Sequence, residues 1–173
     1  GANDVERAHH TPVYCQYIKT VTETARVLLT AGILSAVGLA AFAWKLTRAG
    51  RSSHEYLIDQ LKLSQWAALL LAAVGATGIG MAVASAAAPG ALVEATAGIL
   101  AMAAAVLVLR LEPRDALLGA GLLFLAHAFF AWAHRPAMLT AEFVPQWFTL
   151  GLTLYDVHIG ALCLLARRAG TPD

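Results

Sequence analysis

The 173-residue chain predicts an all-α, polytopic membrane helical bundle of about five transmembrane helices, and three observations carry that fold class. Hydrophobic residues make up 59% of the chain and charged residues 13%, about half the charge that wets a soluble domain. Five apolar runs approach or exceed the roughly 20 residues an α-helix needs to cross the hydrocarbon layer. Lysine and arginine gather in alternate connections, as the positive-inside rule requires of a multi-pass chain.

Taken in order, residues 1–25 read as a polar extracytoplasmic segment, 26–168 as the five-helix bundle and 169–173 as a short cytoplasmic tail. The opening stretch is polar and has no apolar signal region. Either a signal is removed before Gly1 or the short tail crosses the membrane unaided. The first span is expected over 27–44 and the second over 65–88, where Pro89-Gly90 breaks the helix. The third covers 91–111, and Glu112-Pro113-Arg114-Asp115 separates it from the fourth at 116–133. The fifth covers 147–165.

One set of connections and the tail carries Lys45, Arg48, Arg51, Lys62, Arg110, Arg114, Arg167 and Arg168. The other side has Arg7, Lys19, Arg26 and Arg135. Eight against four places the N-terminus outside and the C-terminus in the cytoplasm, as an odd number of spans demands. A ridge of small residues in the second span (Ala68, Ala72, Ala76, Gly80, Ala84, Ala88) and Ala97, Ala101 and Ala105 in the third predict close helix contact. Trp44, Trp132 and Trp147 fall at span ends and read as interfacial anchors.

Several function classes drop out. A net charge of +1 supplies no basic field for nucleic acid. Two cysteines, Cys15 and Cys163, make no disulfide framework. Nucleotide-binding glycine loops, zincin His-Glu pairs and serine elbows are missing. His54-Glu55 reads as a capping feature after Ser52-Ser53, and Glu94 as a first-turn acid.

The chemistry points to histidines in apolar surroundings: His127 and His134 in LAHAFFAWAHR, and His158 in TLYDVHIGAL. An ionisable side chain at membrane depth is costly and marks functional positions. His127 and His134 are seven apart and share a stripe of the fourth span. His158 shares a face of the fifth with Tyr155 and Gly151, while Asp156 lies almost opposite with Thr149, Thr153 and Cys163. Polarity on two faces predicts a central fifth helix. His127, roughly 10 Å deep, and His158, at about 10–18 Å, could face each other. Two such imidazoles suit low-spin haem b as axial ligands, and imidazole equally suits copper. A second candidate cluster outside combines His9, His10, His134, Met138 and Glu142, where histidine with methionine suits copper in either oxidation state.

The stretch LLFLAHAFFAWAHRPA followed by WFTLGLTLYDVHIGALCLL resembles the core of the copper resistance D (CopD) membrane family. Ala133-His134 matches that family's small residue plus histidine at a span end, and Asp156 with His158 approximates its acid and histidine about one turn apart. The earlier segments are similar in order, so the resemblance covers about 27–168. It departs in the acid-to-histidine spacing, and the tryptophan and glycine that usually follow the histidine are missing. The resemblance implies copper uptake or transfer in the bacterial inner membrane, with His134 and His158 as ligands and a periplasmic copper protein as a possible partner. Two other readings stay open. One is a haem b subunit of an electron-transfer complex using His127 and His158. The other is a cofactor-free accessory subunit of a larger respiratory or photosynthetic assembly.

Overall fold

The computed structural model describes residues 13–48, 54–133 and 144–168, and all five elements in them are helices: α1 (Val13–Arg48), α2 (His54–Ala84), α3 (Ala91–Val108), α4 (Pro113–Ala133) and α5 (Gln146–Arg168). Each contains a stretch long and apolar enough to cross a membrane: Ala25–Leu46, His54–Ala84, Ala91–Val108, Pro113–Ala133 and Trp147–Arg168. The expected five-span membrane bundle is what the chain builds.

Boundaries follow local chemistry. Helix α2 starts eleven residues before the expected 65, because the Leu-rich segment from Tyr56 to Leu63 continues as helix. It stops at Ala84, where the Ser85 amide turns back to the Met81 and Ala82 carbonyls and the chain enters a tight turn. Gly90 closes that turn at φ 89°, a left-handed conformation that only glycine adopts cheaply. Pro113 opens α4 in the first helical position, where its missing N–H costs no bond. The Ala116 amide then donates to the Glu112 carbonyl at 2.7 Å.

Two compact units are distinguished, Gly1–Leu34 and Ser35–Asp173. The first contributes the N-terminal part of α1, whose Val27, Leu28, Leu29, Ile33 and Leu34 are exposed. Its Thr30 hydroxyl is satisfied within the helix by the Arg26 carbonyl at 2.8 Å.

In the second unit α2 packs against α3, α4 and α5, and α4 packs along α5. Helix α4 likewise packs against α2, α3 and α5, so the central position expected of the fifth span falls to α2 and α4 together. The core is Leu63 and Leu71 of α2, Leu117 and Phe124 of α4, and Ile159 and Cys163 of α5, all sealed from the surface, together with Leu46 of α1. Lys45 reaches Asp59 at 2.9 Å near the start of α2. At the same end the Arg48 guanidinium lies 4.7 Å above the Trp44 ring, an arrangement suited to the interface.

The small-residue ridge of α2 is corrected by the structure. Ala68 is buried and Ala72 packs against the core as expected. Ala76, Gly80 and Ala84 are exposed, however, and beyond the first turns the face in contact runs through Leu71, Gly75, Gly78 and Ala82. A Cβ on Gly75 would meet the Gly98 carbonyl oxygen at 2.6 Å, and one on Gly98 would meet the Gly75 oxygen at 2.5 Å. Glycine, not alanine, selects the face, because only a missing Cβ lets the two backbones touch. On α3, Gly98 and Ala105 are buried on the same side as Ala101. Glu94, the expected first-turn acid, is indeed there and is 7% exposed, close to Gly78.

Candidate functional site: a histidine–aspartate pair between α4 and α5

Helices α4 and α5 are drawn together by a second glycine contact. A Cβ on Gly160 would stand 3.0 Å from the Gly121 carbonyl oxygen, and one on Gly121 would press on the Leu164 side chain and the Gly160 oxygen. At this separation a side chain midway along one helix reaches across to the other without intervening solvent.

His127 of α4 and Asp156 of α5 meet in this way. The Nδ1–H of His127 donates to Oδ2 of Asp156 at 2.6 Å, short even beside charge-assisted N–H···O bonds. Asp156 is 0% exposed, whereas the His127 side chain keeps 14% of its surface. The carboxylate is therefore sealed and the imidazole is the member of the pair that a ligand can reach. Phe130, one turn on, lies with its ring centroid 6.1 Å from the imidazole. Counting along the helices at about 1.5 Å per residue, His127 is about 9 Å from the Ala133 end of α4, and Asp156 about 14 Å from Trp147. The pair thus lies nearer the membrane face at which α4 ends and α5 begins.

A carboxylate that accepts from Nδ1–H sets the tautomer and the ring orientation. The lone pair on Nε2 is then left for a metal or a proton. The other carboxylate oxygen, Oδ1, is buried and has no hydrogen-bond partner among the described residues. A half-satisfied buried carboxylate is expensive to keep.

Neighbouring polar groups are otherwise occupied. The Tyr155 and Ser35 hydroxyls are 3.2 Å apart and share a hydrogen bond. Thr153 donates to the Thr149 carbonyl at 2.7 Å, so it is not a free ligand. Cys163 lies on the Asp156 side of α5, fully buried with a free thiol.

His158 does not join this site. It is exposed on the outer side of α5, while Asp156 faces inward. The expected facing of His127 and His158 is not found, because residues 156 and 158 are about 200° apart on a helix and only one can point at α4. A tetrapyrrole clasped by these two histidines between α4 and α5 does not fit either, since the helices touch at Gly121 and Gly160. Among the described residues no group of three or more His, Cys, Asp or Glu is arranged to hold a metal. His134, Met138, Glu142, His9 and His10 lie outside the described residues, as do Ser52 and Ser53. The Asp156 partnership and the Ser35 contact were missed by sequence reasoning. The first had half a signal: Asp156 and His158 fall on nearly opposite sides of the helix, so only one of them can turn toward α4, and packing decides which. Ser35 had none.

Comparison of the chain with known proteins found no matching family model, no similar curated protein and no similar solved structure.

Proposed function

We propose that this multi-pass membrane protein handles copper, taking it up or passing it on through His127 as a membrane-embedded ligand that Asp156 positions. The observation that carries this reading is the 2.6 Å bond from His127 Nδ1 to a sealed carboxylate, with the imidazole still partly open. An anionic hydrogen-bond acceptor behind an imidazole fixes its orientation and holds it in a ligating tautomer, and imidazole suits copper well.

By sequence, His134 follows two helical turns after His127 and Met138 four residues later. Imidazole and thioether together suit both copper oxidation states. The resemblance to the copper resistance D family leads to the same cargo, with the ligand shifted from His158 to His127. The charge bias of the connections makes the face nearer the pair the periplasmic one, in a bacterial inner membrane, which matches a route for periplasmic copper.

The test is metal analysis and an optical spectrum of the purified protein. Copper should be retained, reduced about tenfold to a hundredfold in affinity by Asp156→Asn, lost in His127→Ala and unchanged in His158→Ala. A protein that neither binds copper nor alters copper-dependent growth sinks the proposal. A reduced haem spectrum would replace it with the electron-transfer reading.

A further inference from the structure

Near the middle of α5, about 16 Å from either end of its span, His158 presents an imidazole on the exposed side of the helix. It forms no hydrogen bond to any described residue. The contrast with other exposed polar groups is sharp. Thr30, Thr77 and Thr96 each donate to the carbonyl four residues back at 2.8 Å, so lipid meets no bare hydroxyl there. The His158 ring makes no such bond, and an unsatisfied ionisable group at this depth is disfavoured.

Around His158 runs an exposed stripe, Leu150, Leu154, Ala161 and Leu165, spaced three or four residues apart. This is the spacing by which one transmembrane helix lies along another, and Ala161 is small enough to let a neighbour approach.

We infer that this face of α5 is the contact between two copies of the chain, with His158 pairing across it. A neutral imidazole has one N–H donor and one bare nitrogen acceptor, so it complements a second imidazole without help from any other residue type. Two copies inserted in the same orientation are related by a twofold axis along the membrane normal. They therefore present His158 at equal depth on one self-complementary patch. A different membrane partner would have to supply its own polar group at that depth, while the second copy does so by construction. The inference is independent of what His127 binds, because Asp156 and His127 lie on the opposite side of α5.

The experiment counts protomers of the full chain in phosphatidylethanolamine–phosphatidylglycerol bilayers over a range of protein-to-lipid ratios. Dimers are expected. His158→Leu, which makes the face uniformly apolar, should raise the dissociation constant about threefold to tenfold, and His158→Asn, which keeps a donor and an acceptor, should stay near the parent value. In a Cys15→Ser background, Ala161→Cys should cross-link between copies on oxidation, whereas Leu100→Cys on the exposed side of α3 should not. The cross-link reads the interface even if the His158→Leu chain folds poorly. A monomer at every density, a dimer that His158→Leu leaves unweakened, or cross-linking at position 100 in place of 161 overturns the inference.

Discussion

Where α2 meets α3, a methyl group on Gly98 would sit 2.5 Å from a backbone carbonyl oxygen. Where α4 meets α5, the same addition on Gly121 would first press on Leu164, a flexible side chain, at 2.9 Å. Both seams rest on a glycine facing a glycine, yet they are used differently. The α2–α3 seam is backbone against backbone, and its buried acid, Glu94, sits in the first turn of α3, where the helix dipole favours a negative charge. The α4–α5 seam is slightly looser, and its acid lies mid-helix with no such help, bonded instead to an imidazole of the neighbouring helix. Close approach alone makes a joint. Close approach with a mid-span acid–imidazole pair makes a candidate site.

The largest effect expected to test this contrast is Asp156→Ala. It strands the His127 donor in a largely buried interface and should cost about 3 kcal/mol of bundle stability, the upper end for leaving a buried donor unsatisfied. Detergent-titrated unfolding followed by circular dichroism would measure it; a loss well below that would mean the pair is solvated and the contrast with Glu94 is empty. Next comes Gly98→Ala. Its added methyl meets carbonyl oxygen rather than side chain, so about 2–3 kcal/mol is expected, by the same unfolding measurement. Gly121→Ala should cost only about 1 kcal/mol, because Leu164 can change rotamer. Equal costs at positions 98 and 121 would erase the distinction between the seams. The smallest effect is Ser35→Ala, which removes one hydroxyl bond to Tyr155 and should cost about 0.6 kcal/mol, the average for such bonds in membrane bundles. It should leave copper content untouched.

Much of the architecture was legible in the sequence. Five spans followed from run length and hydropathy, and Pro89-Gly90 and Pro113 marked two of the breaks, because proline and glycine act on their own backbone. The entrance to α2 was not legible as membrane helix, since Asp59, Gln60 and Lys62 interrupt the apolar run; burial of Asp59 and Gln60 keeps that turn in the helix. The small-residue ridge was misplaced because alanine and glycine look alike as small residues. They differ sharply once two backbones are in contact. His158 drew attention for its chemistry alone, whereas its exposed position and the inward turn of Asp156 depend on which neighbour each side of α5 meets.

The order of residues alone settled the class of the molecule, the number of crossings and the fact that Asp156 and His158 must point in nearly opposite directions. Those are properties of local hydropathy and of a 3.6-residue helical repeat, which need no tertiary contact. Helix packing chose which of the two turns inward. The glycines at 121 and 160 bring α4 against one particular side of α5, and that side carries Asp156. With the acid held inside, His127 becomes its partner and His158 is left facing out. The choice lies in the pairing of two helix surfaces, which no single helix encodes.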